Sequence, residues 1–212
     1  MSADGLYSIE ALVPYFAGNN GLLDDFWTYI QHALTKWEDP TLFRATIIVI
    51  GALSSSYGEY MGKYFENFVP QLIELIKNPT FNRELKLDCL MCLGEICLNS
   101  PQSSIKFLSS IIEVIMFCCN AAVGMNDTDF AYSELLKDSI VECLMCIVHG
   151  LNYDGSEIKS HLSPYIKDFF HFVLVTLEPK YKPTVVYFNR VILLMADMAK
   201  YHSEIVTPFK ND

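Results

Sequence analysis

Hydrophobic residues recur along this 212-residue chain at the three- and four-residue spacing of helices. Short clusters of Pro, Gly, Asn and Asp separate the apolar blocks, and no block alternates as a strand does. Asp39-Pro40, Ser100-Pro101 and Ser163-Pro164 each place a capping side chain before a proline, the preferred start of a helix. The pattern predicts an all-α protein with helices near residues 6–17, 22–36, 40–57, 61–77, 81–98, 101–121, 129–151, 161–177 and 183–201.

Related phrases of small and apolar residues end alternate helices of this prediction. They begin at Glu10, Gly51, Gly94, Cys146 and Ala196, and successive phrases are separated by 41, 43, 52 and 50 positions. Periods in the low forties are typical of stacked antiparallel helix pairs of the HEAT or armadillo kind. The sequence therefore predicts a HEAT-repeat, armadillo-like solenoid that winds into a right-handed superhelix.

The predicted solenoid is one unit over residues 1–212, with about four and a half repeats. We place a half repeat at 6–18 and full repeats at 22–58, 61–99, 101–151 and 158–202. The two longer intervals require insertions, which we assign to polar loops at 124–129 and 152–156. Because the first helix lacks its pair mate and neither end shows a polar capping repeat, we expect a piece of a longer protein.

Composition narrows the function classes. The chain is 51% hydrophobic with a net charge of −10, which disfavours nucleic acid and favours basic partners. The N-terminus lacks the pattern of a secretory signal, so we expect an intracellular protein with free cysteines. The most apolar stretch, 111–125, contains Glu113 and Asn120 and is shorter than the ~20 residues that a bilayer requires, so no membrane span is predicted.

Motifs for catalysis are missing from the sequence: it contains no phosphate-binding loop, nucleophile elbow or zinc-protease helix. The pattern Cys-Leu-Met-Cys occurs twice, at Cys89–Cys92 and Cys143–Cys146, with a spacing that can hold zinc. Both pairs lie within apolar predicted helices, which favours buried core thiols over a metal site. We therefore predict a protein that is not an enzyme and has no metal site and no cofactor.

Six acidic residues on two predicted helices form a candidate docking surface. Their spacing places them on one face of each helix, at i, i+4 and i+11 on the first and at i, i+4 and i+8 on the second. We name these residues the acidic stripe: Glu84, Asp88, Glu95, Glu134, Asp138 and Glu142. Stacking would set the two rows side by side as a surface for a basic partner; the alternative is a merely solvated face.

Several of these segments resemble a known family. Gly94-Glu95-Ile96-Cys97 and Ala196-Asp197-Met198-Ala199 are similar to its recurrent Gly-Asp-Leu/Ile helix ending. The stretch from Tyr132 to Leu151 is similar to its penultimate long helix. On these residues the chain resembles, over residues 6–202, the C-terminal HEAT repeats of the importin-beta (karyopherin-beta) family of nuclear transport receptors.

The resemblance implies a superhelix whose inner helices bind cargo or the basic segment of an importin-alpha adaptor. It implies outer helices that bind the Phe-Gly repeats of nucleoporins, and Ran-GTP binding mainly through N-terminal repeats, which this chain lacks. A receptor of this kind is expected in the cytoplasm and nucleus and at the nuclear pore. The alternative function is a HEAT-repeat scaffold subunit of another multiprotein complex, since the fold alone does not decide between them.

Grooves between successive outer helices are where we expect a phenylalanine side chain to bind, because two apolar helix surfaces that meet at a repeat boundary leave a slot. The alternative interpretation of each candidate residue is that it packs in the core, since the repeats must bury such residues in any case. The candidates for Phe-Gly binding are Tyr29, Ile30, Phe65, Phe68 and Leu72.

Overall fold

The computed structural model describes residues 2–16, 18–125, 129–152, 157–178 and 183–207, and all regular structure in these ranges is helical. Two 3₁₀ segments, Gly58–Tyr64 and Ser163–Tyr165, interrupt the α-helices. The predicted loops fall largely on residues 126–128 and 153–156, which lie outside the described residues. The helices are α1 (Ala3–Phe16), α2 (Asn20–Leu34), α3 (Pro40–Tyr57), α4 (Phe65–Lys77), α5 (Arg83–Asn99), α6 (Pro101–Gly124), α7 (Phe130–Asn152), α8 (Glu157–Leu162), α9 (Ile166–Thr176), α10 (Val185–Tyr201) and α11 (Ser203–Val206).

The predicted cap at Asp39 is present, whereas the one at Ser100 is replaced. One Asp39 oxygen accepts hydrogen bonds of 3.1 Å from the amides of Thr41 and Leu42, which starts α3. The Ser100 hydroxyl instead donates to the Gly58 carbonyl at 2.7 Å. The start of α6 is capped by Glu59, whose carboxylate accepts from two of its first amides at 2.8 and 3.0 Å. A side chain of the 3₁₀ segment Gly58–Tyr64 therefore holds the first turn of α6.

Two predicted helices are divided in the structure. The helix predicted at 61–77 begins as the 3₁₀ segment Gly58–Tyr64, and its α-helical part starts only at Phe65. The helix predicted at 161–177 consists of α8, the 3₁₀ segment Ser163–Tyr165 and α9. Ser163-Pro164 thus begins a 3₁₀ turn rather than a long helix, because proline at that position cannot continue the hydrogen-bond ladder of α8.

The helices form two layers. The first layer contains α1, α3, α5, α7 and α10, each of which packs against the next. The second layer contains α2, α4 and α6, which also pack in succession, followed by α9. Helices of the two layers pair as α2 with α3, α4 with α5, α6 with α7 and α9 with α10. The division into four and a half repeats stays a prediction, but this layered stack is the arrangement that the periodicity predicts.

Glycines bring α5 and α7 into backbone contact. A Cβ at Gly150 would lie 2.2 Å from the Cys97 carbonyl oxygen, and one at Gly94 would lie 3.0 Å from the Cys143 Cα. Both distances are too short for a larger side chain without movement of the neighbour. Gly94 lies in one of the repeated phrases, and its small size allows the two helices to approach closely.

Six of the seven cysteines are buried in this apolar interior, and Cys146 is half-buried. All seven are free thiols, and each of the two Cys-Leu-Met-Cys pairs lies within a helix, α5 or α7. Burial raises the pKa values of Cys97 and Cys118 to about 12. Within the described part of the chain, no group of three or more His, Cys, Asp or Glu side chains could hold a metal ion. These thiols act as small core residues.

Helix α6 changes one expectation. It has 24 residues and an apolar window of mean hydropathy 1.8, which makes it long and apolar enough to cross a membrane by length and composition. The argument that the apolar stretch 111–125 is too short to span a membrane therefore does not hold for the whole helix. Residues such as Ile111, Val114 and Ile115 are buried, and α6 packs against α4, α5 and α7. Core helices of solenoids have the same composition.

Candidate functional site

The structure places the acidic stripe on α5 and α7, two helices that pack directly against each other in the first layer. Five of the six carboxylates form ion pairs with cations of the same chain. The stripe is therefore a set of six carboxylates that share three cations, and its excess negative charge is half of what the sequence predicts.

Arg44 of α3 joins the two acids at the start of α5. Its Nε donates to Asp88 Oδ2 at 2.8 Å, and its Nη2 lies 3.3 Å from Glu84 Oε2. The hydrogen bond to Asp88 raises the pKa of Arg44 above its ordinary value, with a smaller contribution from Glu84. This guanidinium neutralises one end of the stripe and links α3 to α5.

Arg190 of α10 makes the corresponding link at the other end. Its Nη1 lies 2.6 Å from Asp138 Oδ2 and 3.1 Å from Glu142 Oε2, so it holds two acids of α7. An arginine from a neighbouring helix thus binds two of the acid pairs that are four residues apart, Glu84 with Asp88 and Asp138 with Glu142. The two arginines flank the middle of the first layer.

Glu134 does not belong to the open surface. Its Oε1 accepts from Lys137 Nζ at 2.8 Å, and only 17% of the Glu134 side chain and 3% of the Lys137 side chain are exposed. The expectation that Glu134 extends an exposed stripe is not met, because this pair is covered by packing. Its role is to neutralise a buried lysine.

Glu95 is the one stripe residue without an ion pair among the described residues. Its carboxylate lies against α3, where a Cβ at Gly51 would sit 1.9 Å from Glu95 Oε2. Burial raises the pKa of Glu95, and the negative charge of Glu142 raises it further. A half-covered carboxylate is therefore held in the middle of the first layer, in space that a glycine leaves open.

A groove surrounds this carboxylate and has a volume of about 480 Å³. Its acids come from α1, α5 and α7, and apolar residues such as Ile48 and Leu98 form part of its wall. We name it the central groove, after the lining residues Glu10, Ile48, Ala52, Met91, Glu95, Leu98 and Glu142. The stripe did not include Glu10, although it begins the first of the repeated phrases and so occupies the repeat position of Gly51 and Gly94.

Four of the five candidates for Phe-Gly binding lie in the core. Ile30, Phe65, Phe68 and Leu72 are all buried, and Phe65 meets Phe68 edge-on with ring centroids 5.7 Å apart. Only Tyr29 is exposed. Side chains that fill the space between the layers are not available to a ligand in this conformation, so packing is their observed role.

A different groove is open in the second layer, between α6 and α9. It has a volume of about 270 Å³ and combines apolar with polar walls. We name it the second-layer groove, lined by Met116, Cys119, Asn120, Val123, Gly124, Asp168, His171, Phe172 and Val175. Its residues recur at helical spacing on both helices, but spacing alone does not show whether an apolar part of α6 is covered or open.

A two-layered stack of paired helices defines a class of protein, the helical-repeat solenoid. Comparison with known proteins identifies the family. The family model described as importin subunit beta-1-like, TPR repeats, matches residues 10–212. The chain belongs to this importin-beta family.

One curated relative and two solved structures are similar to this chain. Importin subunit beta-1 of Saccharomyces cerevisiae is 27% identical over 177 residues, which are 82% of this chain and 20% of the relative. A crystal structure of importin beta superposes with a TM-score of 0.80 at 19% identity, over 93% of this chain and 23% of that one. A Kap95:Nup1 complex gives a TM-score of 0.75 at 23% identity, over 94% and 23%. The chain spans about a fifth of the length of its relatives.

Proposed function

We propose that this chain is part of an importin-beta-like nuclear transport receptor and that its central groove binds a basic segment of an importin-alpha-type adaptor or of a cargo protein. The observation that carries the proposal is Glu95, a half-covered carboxylate without an ion pair among the described residues, which faces a groove that it shares with Glu10 and Glu142. A receptor with this role works in the cytoplasm, in the nucleus and at the nuclear pore.

The chemistry of the groove suits a basic helix with an apolar side. Carboxylates attract lysine and arginine, while Ile48, Met91 and Leu98 offer apolar surface to the ligand's other residues. Exposed ion pairs contribute only ~0.2 to 1 kcal/mol each, but several acids in one groove raise the local potential together and speed the encounter. Such binding is reversible, as a receptor that loads and releases cargo requires.

The two arginines set the limits of this site. A ligand that engages Asp88 or Asp138 must compete with Arg44 or Arg190, which already hold these acids at 2.8 and 2.6 Å. Engaging Glu95 displaces no cation of the described chain. We therefore assign the first contact of a basic ligand to Glu95 and its neighbours in the central groove.

Binding of a labelled Arg/Lys-rich helical peptide tests the proposal. Glu95→Gln keeps the shape of the side chain and removes its charge, and the loss of one charge-assisted contact of about 1 kcal/mol predicts an affinity about fivefold weaker. Asp25→Asn is the matched control, because Asp25 is exposed on α2 and has no ion pair within the described residues. Asp24 and Glu59 are unsuitable controls, since Asp24 binds Lys63 and Glu59 caps α6.

The salt dependence gives a second readout. Raising the ionic strength from about 10 to 150 mM shortens the Debye length from ~30 to ~8 Å, so affinity should fall steeply. Equal losses in the Glu95 and Asp25 variants would mean that only the net charge of the chain matters. That result, or binding that is insensitive to salt, would contradict a specific site in the central groove.

For Phe-Gly repeats of nucleoporins we propose the second-layer groove. Its support is the open, mixed wall between α6 and α9, which can take an aromatic ring against Met116 and Val175 and a peptide amide at Asn120. A titration with a Phe-Gly peptide followed by NMR should shift the signals of these residues. Met116→Lys should abolish the shifts, and Phe117→Lys, an exposed change on the same helix, should leave them. Unchanged spectra at millimolar peptide would sink the assignment.

A further inference from the structure

The two carboxylate oxygens of Glu95 have different surroundings. A Cβ added at Gly51 would lie 1.9 Å from Glu95 Oε2 but 3.6 Å from Glu95 Oε1. Oε2 is therefore directed at the backbone of α3, into space that is open only because glycine has no side chain. Oε1 lies farther from α3, which leaves it as the oxygen of Glu95 that a ligand in the central groove can bind directly.

Glu142 adds a second carboxylate to the groove, from α7. Its Oε2 lies 3.1 Å from Arg190 Nη1, and 44% of its side chain is exposed. After burial, the negative charge of Glu142 is the second cause that raises the pKa of Glu95, so the two carboxylates repel each other within the groove. A positive charge that both acids share would remove this repulsion.

The walls around these two acids are apolar. Ile48 of α3 and Leu98 of α5 are exposed, and Met91 lines the groove with them. A ligand cation that reaches Glu95 therefore passes its stem along apolar surface. Lysine and arginine bury their hydrocarbon stems in this way, while the charged end stays among polar groups. The walls thus favour a long cationic side chain.

We propose that the ligand of the central groove inserts one lysine, in preference to an arginine, and that Glu95 and Glu142 share its ammonium group. This inference rests on the function proposed above and names the side chain that the ligand presents. An ammonium group is a compact charge with three donors on a flexible stem, so it can bind one oxygen on each of two carboxylates.

A guanidinium group fits the same two acids less well. It binds most strongly when its planar fork meets both oxygens of one carboxylate. On Glu95, Oε2 is packed against Gly51, and on Glu142, Oε2 is already bound by Arg190. Each acid therefore presents one unobstructed oxygen, which suits two single contacts from an ammonium group.

The other acids of the groove do not distinguish between the two cations. Asp88 is already bound by Arg44 at 2.8 Å. Glu10 lines the groove from α1 and attracts lysine and arginine alike. The selectivity must therefore come from the geometry of Glu95 and Glu142. Added salt should weaken the binding of both cations by a similar factor and leave their ratio unchanged.

Three labelled helical peptides test the proposal. They share one sequence of alanine, glutamine and leucine and differ at a single central position, which is lysine, arginine or Nε-acetyl-lysine. Fluorescence anisotropy with the full chain should show that the lysine peptide binds about fivefold more tightly than the arginine peptide, the effect of one additional charge-assisted contact. Acetylation keeps the stem and removes the charge, so the acetyl-lysine peptide should bind no better than the arginine peptide.

Two variants of the chain separate geometry from charge. Glu95→Gln removes one of the two carboxylates and should bring the lysine and arginine peptides to equal affinity. Gly51→Ala keeps both charges, but its methyl group would lie 1.9 Å from Glu95 Oε2 and must turn the flexible carboxylate away from α3, so the preference for lysine should be lost. Gly21→Ala is the matched control, since its Cβ would meet only Asn19 Oδ1, at an ordinary contact distance of 3.7 Å. Circular dichroism checks that each variant is folded.

The outcomes separate this inference from the proposed function. Equal affinities of the lysine and arginine peptides for the wild type, a preference for arginine, or no binding of the lysine peptide each overturn the inference. The proposed function stands in these cases if the Arg/Lys-rich peptide still loses affinity with Glu95→Gln and not with Asp25→Asn. A lysine preference that survives Glu95→Gln also overturns the inference, because the lysine then binds elsewhere. These outcomes need only the wild type and Glu95→Gln, so they decide the matter even if Gly51→Ala does not fold.

Discussion

The contact between α5 and α7 and the contact between α7 and α10 belong to the same layer, yet they are built differently. Gly94 and Gly150 bring the first pair into backbone contact. The second pair is joined by side chains: Arg190 reaches two acids of α7, and His149 Nε2 lies 2.6 Å from Asp197 Oδ2. Backbone contact leaves no room for adjustment, whereas long side chains can follow a movement of the helix.

This difference suggests that the first layer is rigid in its middle, at α5 and α7, and more adjustable at its α10 end. In the middle, each helix has neighbours on both flanks and the interior is tightly packed. At the end, α10 has one neighbour in its layer and keeps an apolar face exposed. The stability of a solenoid is the sum of the intrinsic stability of each repeat and the energy of the interfaces between adjacent repeats. Helix α10 has fewer such interfaces, so it is expected to open at a lower free energy than α5 and α7.

The largest expected effect comes from breaking the backbone contact. Gly150→Ala would place a methyl group 2.2 Å from a main-chain oxygen of α5 and should lower the free energy of unfolding by about 3 kcal/mol. Gly124→Ala is the control, since nothing lies within 4 Å of its added Cβ and alanine favours helix. Urea unfolding followed by circular dichroism measures both, and equal stability of the two variants would contradict close packing at Gly150.

A pair of matched truncations compares the two regions directly. Leu144 of α7 and Leu194 of α10 are both fully buried, and removing such a leucine costs about 2 to 5 kcal/mol. We expect Leu144→Ala near the top of this range and Leu194→Ala near the bottom, because the end can collapse onto the cavity. Hydrogen exchange of the wild type should show the same order, with amides of α10 exchanging before those of α5. Uniform protection would remove the distinction.

A smaller effect tests how successive repeats are linked. Glu59→Ala removes the carboxylate that caps α6 and should cost about 1 kcal/mol, the usual contribution of an N-cap. Glu38→Ala, at an exposed position without an ion pair in the described part of the chain, should cost less than half of that. If both variants unfold at the same urea concentration, the cap does not stabilise the junction.

The smallest effect concerns Glu95, and its size depends on pH. Its pKa is higher in the folded chain than in the unfolded one, so the stability linked to this group is complete at low pH and is lost as pH rises through the folded pKa. Glu95→Gln should therefore raise the urea midpoint slightly at pH 7, and the difference should vanish below the ordinary pKa of 4.5. A variant less stable than the wild type at pH 7 would show that the charge is satisfied locally.

Local patterns predicted most of the fold, because helix periodicity and caps such as Asp39 depend on neighbours in sequence. The exceptions depend on residues far along the chain. The cap of α6 comes from Glu59, 43 residues before the amide it binds. A rule based on neighbouring residues selects Ser100 as the cap and could not have identified Glu59. Phe65 and Phe68 were ambiguous for a related reason: both lie on the apolar face of α4, and the sequence does not show whether that face packs in the core or receives a ligand.

The candidate site was predicted in part. Helical spacing placed the acids of α5 and α7 on neighbouring helices, and that much is confirmed. Their partners could not be predicted, since Arg44 lies 44 residues from Asp88 and Arg190 lies 52 residues from Asp138. Which acid keeps an unpaired charge depends on these distant arginines, and only the folded chain singles out Glu95.

The reactivity of the buried thiols can report how often the folded chain opens locally. Alkylating reagents attack the thiolate, and burial holds the pKa of Cys146 at about 11 and those of the other six cysteines higher still. A folded chain therefore reacts slowly, and the six buried thiols of α5, α6 and α7 are modified at the rate at which their surroundings open. Cys146 also lines the central groove, so protection of this one thiol by a bound peptide would time the residence of the ligand without any added label.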